Sequence, residues 1–168
     1  MIRVRCYTDA DLPAVLAVFQ GSVHAIAGRD YTPAQTAAWA PDPPDRAAWA
    51  ERLTGGGVFV AEYNGRIAGF ARIDDCGRVD LLYVGPAHQR RGVGRALLQR
   101  VTAWGVTRGR QHLTAEVSIT ARPFFERAGF RVIGPQTVER RGVRLQNFRM
   151  EAHLGTNEPP DRAQQNPL

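Results

Sequence analysis

Apolar residues recur at helical spacing in two stretches of the chain and alternate with polar ones in several others. Val93, Leu97, Val101 and Trp104 fall on one face of a helix, and Leu12, Val15, Leu16, Phe19, Val23 and Ile26 on one face of another. Thr8 or Asp9 caps the earlier helix, Pro13 sits in its first turns where a missing N–H costs least, and the pattern stops near Gly28. Thr32-Pro33-Ala34-Gln35 is a capping box with proline at the first helical position, which predicts a short helix to about Ala40. The prolines between Pro41 and Pro44 break it, and a third helix, roughly Asp45 to Leu53, ends in Gly55-Gly56-Gly57.

Strand patterns fill the rest. Ile2 to Tyr7 is a first strand. Val58 to Tyr63 and Arg66 to Ile73 flank Asn64-Gly65, the preferred type I′ turn, and predict a hairpin in which Gly69 marks a bulge or a close approach. Val79 to Val84 is a central strand, and a proline loop and a glycine-bearing turn lead from it into the helix beginning near Val93. His112 to Val117 is another strand. A short helix capped by Thr120 and ended by Gly129 follows, then closing strands at Arg131 to Val138 and Val143 to Met150, turned at Arg140 to Gly142. From Gly155 onward no apolar content remains to order the chain. The expectation is one domain over residues 1–154 and a disordered tail over 155–168.

Composition narrows the classes. With 168 residues, 43% hydrophobic and 23% charged, the chain reads as one globular domain. No apolar run is expected to be long enough to span a membrane. Met1-Ile2-Arg3-Val4-Arg5 opens as a strand rather than a signal peptide, so a cytoplasmic location is expected. Cys6 and Cys76 lack metal-ligand spacing and read as free thiols; no metal site is expected. A net charge of +6 and a pI near 10.3 invite a nucleic-acid reading, but the arginines are scattered and no stacking-aromatic motif accompanies them. A basic surface equally attracts the phosphates of a cofactor or an acidic substrate. All 22 basic residues are arginine, which a codon bias explains.

The candidate chemistry lies at the turn before Val93. Gly92 and Gly94 leave backbone N–H groups uncovered at a positive helix end, and Arg90, Arg91 and Arg95 add charge: a site suited to a diphosphate. The fuller string, Q-R-R-G-V-G after L-x-V-x-P, resembles the acetyl-CoA-binding motif of the Gcn5-related N-acetyltransferases (GNAT), Q/R-x-x-G-x-G/A. S-x-x-A-x-x-x-F-x-x-x-G-F from Ser118 to Phe130 resembles the second motif of that family, N-x-x-A-x-x-x-Y-x-x-x-G-F. The element order matches the family over about residues 2–152, and Y-T-P-A-Q-T-A-A-W and S-I-T-A-R-P-F-F-E-R look like its YafP-like bacterial branch.

The resemblance implies an α/β fold with a mostly antiparallel central sheet, splayed at the cofactor and flanked by helices. It implies direct transfer from acetyl-CoA to an amine of a small molecule or peptide. Pantetheine then lies against Leu82, Tyr83 and Val84, and the diphosphate against Gln89, Arg90, Arg91, Gly92, Val93, Gly94, Arg95 and Ala96. Ser118, Ala121, Phe124 and Phe125 complete the cofactor side. Ser118 stands where the family has asparagine, and Phe125 where it has the tyrosine that protonates the departing thiolate. Tyr31, Tyr83 or water could replace that acid. Asp80 is the first candidate for the general base, or else a structural partner of Arg72 or Arg78; Glu116 on the next strand ranks second. Tyr31 and Trp39 either wall the acceptor pocket or pack the helical pair. A homodimer would suit the family. A non-catalytic acyl-CoA-binding module is the competing reading, motivated by Phe125 and Ser118.

Overall fold

The computed structural model describes residues 1–155, so the expected tail lies, beyond Gly155 itself, outside the described residues. Seven strands form one sheet in the order β1-β2-β3-β4-β5-β7-β6. They are β1 (Ile2–Cys6), β2 (Gly57–Tyr63), β3 (Arg66–Ile73), β4 (Arg78–Val84), β5 (His112–Ser118), β6 (Arg131–Arg140) and β7 (Val143–His153). All neighbours pair antiparallel except β4 and β5, which are parallel. The helices are α1 (Leu12–Gly21), α2 (Pro33–Trp39), α3 (Arg46–Arg52), α4 (Val93–Thr107) and α5 (Arg122–Arg127).

Local signals behave as their chemistry dictates. Thr32 accepts from the Gln35 N–H while the Gln35 side chain returns a bond to the Thr32 N–H. Asp45 accepts from the Ala48 N–H at the start of α3. Asn64 and Gly65 take positive φ in the hairpin turn, as do Arg141 and Gly142 between β6 and β7. The short α5 is not capped by Thr120, as the sequence suggested. Ser118 Oγ accepts from the Ala121 N–H instead, and Thr120 Oγ1 is buried without a partner.

Two cores sandwich the sheet. On one face α4 buries Val93, Leu97, Leu98 and Val101 against Phe59, Ile73 and Leu113. Gly69 makes that approach possible: a Cβ there would stand 2.8 Å from the Tyr83 carbonyl and 3.0 Å from side chains of Leu97 and Val93. A bulge lies beside it, between Ala61 and Glu62 in the pairing of β2 with β3. On the other face α1 buries Val15, Leu16, Val18 and Phe19 with Trp49, Val60, Phe70 and Leu81. By length and composition the run Asp9–Arg29 could cross a membrane, contrary to the expectation that no such run exists. Here its apolar stripe is the second core. α1 continues as a π-helical turn, Ser22–Ile26, and a 3₁₀ turn, Ala27–Arg29.

Two irregularities of β4 create the cleft. Opposite β3, Ile73 pairs with Val79 but Arg72 pairs with Leu81, so Asp80 is the extra residue of a bulge. Opposite β5, pairing consists of Arg78 with Thr114 and Val79 with Ala115, and then ends. Beyond Val79 the strands part.

Candidate functional site

The parting of β4 and β5 borders two adjoining cavities, one of about 600 Å³ and one of about 310 Å³. Val79, Asp80, Tyr83, Glu116, Ser118 and Trp39 line both, so the two meet along the seam between the strands.

The backbone at the start of α4 borders the larger cavity. Gly92 caps α4 in the left-handed conformation, φ 84°, which a side chain would strain. The Ala96 N–H bonds the Gly92 carbonyl, so the run of uncommitted N–H groups at the helix start comprises Val93, Gly94 and Arg95 and stops short of Ala96, where the sequence had extended it. Gly94 has a second function: a Cβ there would stand 3.3 Å from the Phe124 ring, so glycine lets α5 close on the start of α4. Leu82, Val84, Gln89, Arg90, Arg95, Ala121, Phe124 and Phe125 all line this cavity. Arg91 does not; its guanidinium lies 5.3 Å over the Tyr63 ring and donates to the Tyr63 hydroxyl. Val93 is core. The Val84 carbonyl already accepts from the Gln89 side chain at 2.7 Å. His88, whose buried Nδ1 lacks a partner, and Thr120 also line the cavity, and no motif in the sequence marked either of them.

The smaller chamber is made of side chains from distant elements. Phe19, Tyr31, Trp39, Trp49 and Tyr83 form aromatic walls, and Arg52, Arg78, Arg140 and Arg141 project around them. Phe19 contacts both Trp49 and Tyr83, at 4.5 and 5.0 Å between ring centroids. The Asn147 Oδ1 is buried here without a partner.

Asp80 does not share a face with Leu82 and Val84, as strict alternation predicted. The bulge turns it to the α3 side, where its carboxylate accepts from Arg52, Arg72 and Arg78 at 3.1–3.3 Å. Burial alone would raise its pKa; the bonds and charges of these guanidiniums outweigh that and hold it below the usual carboxylate range. A carboxylate so occupied is a weaker proton acceptor, and its pairs with Arg72 and Arg78 match the structural alternative that the sequence left open. Arg52 is a partner the sequence did not suggest, because α3 lies far away in the chain. Glu116 lines both cavities at the seam and forms no ion pair among the described residues.

The hydroxyls divide similarly. Tyr31 is buried; it donates to the Gln146 carbonyl at 2.6 Å and accepts from the Ile119 N–H at 3.0 Å. Its proton is therefore committed, which removes it as a stand-in for the missing tyrosine acid. The Tyr83 hydroxyl accepts from Trp39 Nε1 at 3.3 Å and keeps its hydrogen. Ser118 likewise keeps its hydrogen while accepting from Ala121. Phe125 packs edge-on between Phe124 and Phe130.

Comparisons with known proteins agree with this geometry. A sequence profile of the acetyltransferase (GNAT) domain matches residues 27–152. The uncharacterized N-acetyltransferase YafP of Escherichia coli is 39% identical over 150 residues, covering 89% of this chain and 94% of its own. A crystal structure of a GCN5-related N-acetyltransferase from Rhodopseudomonas palustris superposes with a TM-score of 0.88 at 32% identity, covering 90% of this chain and 95% of that one. The structure of yncA from Salmonella typhimurium with its cofactor acetyl-CoA superposes with a TM-score of 0.69 at 26% identity, covering 96% and 99%.

Proposed function

We propose, for a chain that belongs to the GNAT acetyltransferase family, that its acceptor amine enters the smaller chamber and meets the thioester at the seam. The protein is an acetyl-CoA-dependent N-acetyltransferase. One observation carries the reading: β4 and β5 part after Val79 and Ala115, and two cavities that share Asp80, Tyr83, Glu116 and Ser118 as lining adjoin there.

Acetyl-CoA supplies an activated acetyl group as a thioester. The larger cavity fits it: N–H groups of Val93, Gly94 and Arg95 with Arg90 and Arg95 side chains suit the diphosphate, and the unpaired edge of β4 suits pantetheine. The amine nitrogen attacks the acetyl carbon, the C–S bond breaks, and nitrogen loses a proton. We assign that proton to Glu116, directly or through water, because its carboxylate is unengaged at the seam while that of Asp80 is held by three arginines. The departing thiolate, of pKa roughly 8.5 on the cysteine scale, needs little help. Ser118, Thr120 and Tyr83 line the larger cavity with O–H groups that donate to no protein partner there; Phe125 offers none. Cys6 and Cys76 are exposed and unpaired, which supports a reducing compartment and a cytoplasmic location.

The test is release of CoA thiol from acetyl-CoA over a panel of primary amines, with mass analysis of the product. N-acetylated product is expected. Acetyl-CoA binding with no turnover of any amine would leave the non-catalytic acyl-CoA module as the better reading.

A further inference from the structure

We propose that the acceptor is a primary amine bearing an oxyanion, a carboxylate in the first instance, and that Arg52, Arg78 and Arg140 hold that oxyanion. The inference rests on reading the smaller chamber as the acceptor site.

The argument starts from a charge imbalance. Asp80 has one charge to share among three guanidiniums. Counting Arg72 behind it, five arginines meet three carboxylates around this chamber, those of Asp45, Asp80 and Glu116. Asp45 is occupied in capping α3, and Glu116 stands across the seam. The local excess is therefore positive and lies on the α3 side.

The imbalance is also oriented. The Asp80 side chain is only 9% exposed, whereas those of Arg52 and Arg78 are 46% and 48% exposed. Asp80 is thus a buried anchor that aims two guanidiniums into the chamber, each with N–H donors to spare. Arg72, the innermost of the three, reaches Asp80 and the Thr54 carbonyl and leaves its Nε buried without a partner. Arg140, the last residue of β6, lines the chamber together with Tyr83 and has no carboxylate partner among the described residues. Arg141 donates to the Ala38 carbonyl, so it braces the turn rather than facing the ligand.

An oxyanion between Arg52, Arg78 and Arg140 would use these donors. The amine of the same molecule would then point to the seam, where Glu116 and the unpartnered Asn147 Oδ1 can accept its hydrogens. The aromatic walls leave an apolar side group a place between Trp39, Trp49 and Phe19. Charge-assisted hydrogen bonds to such a group correspond to roughly tenfold to 150-fold in affinity.

The experiment uses matched trios that share a skeleton: phenylalanine, phenylalaninamide and 2-phenylethylamine, and likewise 4-aminobenzoate, 4-aminobenzamide and aniline. Thiol release gives kcat/KM for each at saturating acetyl-CoA. Quenching of tryptophan fluorescence, which Trp39 and Trp49 should report, gives binding in the presence of CoA. In at least one trio the carboxylate should exceed its amide by about tenfold or more in both readouts. Arg140→Gln and Arg52→Gln should each shrink that ratio toward unity. A native ratio near unity in both trios, or a ratio that survives both substitutions, overturns the proposal. Carboxylate-selective binding with no transfer would instead uphold it and sink the catalytic reading.

Discussion

The two halves of the cleft are built by different means. On the proposed reading, the cofactor half draws on backbone: a left-handed glycine, three N–H groups at the start of α4, and the unpaired edge of β4. The groups that suit a diphosphate sit within a short stretch of chain, because a helix start is a local structure. The acceptor half is mostly side chain. Arg52 comes from α3, Asp80 and Tyr83 from β4, Glu116 from β5, Asn147 from β7 and Arg140 from the end of β6. No local pattern joins these residues; the sheet order does. The first half therefore suits any chain that must bind the same cofactor, and the second can diverge with the acceptor while the fold stays as it is.

The largest expected effect separates the two halves at the seam. Glu116→Gln should lower kcat by roughly 10²–10⁴-fold, the range for a lost general base, with acetyl-CoA affinity unchanged. The acidic limb of the pH–rate profile should vanish with it. That limb cannot belong to Asp80, whose guanidinium partners keep it charged below the usual carboxylate range. Near-native turnover with the limb intact would return the role to another group or to bulk water.

Gly92→Val should act on the cofactor half alone. A β-branched residue at φ 84° carries strain of about 1–2 kcal/mol, so the loop should shift and acetyl-CoA binding should weaken roughly tenfold. Isothermal titration with CoA reads this, while selectivity among acceptors should stay put. An altered acceptor preference would show that the halves are not independent.

That independence explains what the sequence made legible. The α4 face, the Asn64-Gly65 hairpin, the Thr32–Gln35 capping box and the glycine turn are all local, and each appears in the structure near its expected place. The bulge at Asp80 was not legible. Whether a strand carries an extra residue depends on its partner's register, and alternation alone placed Asp80 on the face of Leu82 and Val84. Tyr31 shows the same limit. An aromatic before a capping box reads equally as a pocket wall or as packing, and only the fold brings its hydroxyl to Ile119 and Gln146 on separate elements.

Tyr31 also offers a way to couple the halves. Its hydroxyl ties the segment after β5 to β7, close behind the seam. Tyr31→Phe leaves the half-buried Ile119 N–H without its acceptor and should cost about 1 kcal/mol of stability or somewhat more. Urea denaturation checks that figure. With the tie lost, acceptor KM should rise more than acetyl-CoA KM, because the chamber and not the glycine turn borders β7. Equal changes in both would mean that the tie holds the whole splay.

The smallest effect is expected at Phe125, where the cofactor half keeps the shape of its family's second motif but not its acid. The ring is 4% exposed, lies edge-on to Phe124 and Phe130 at 5.4 and 5.1 Å, and borders the larger cavity. Phe125→Tyr adds one oxygen to a position already shaped for an aromatic side chain. If thiolate departure does not limit the rate, kcat should change by less than the ~1 kcal/mol of an ordinary hydrogen bond, about fivefold. The same bound should hold for the melting temperature if the oxygen reaches the cavity, since a buried unpaired hydroxyl costs about 1–3 kcal/mol. A rise in kcat well beyond fivefold would show that proton delivery to sulfur limits this enzyme and that neither Ser118 nor Tyr83 supplies it. A drop in melting temperature with unchanged kcat would place the oxygen against Phe130 and leave the chemistry where it is.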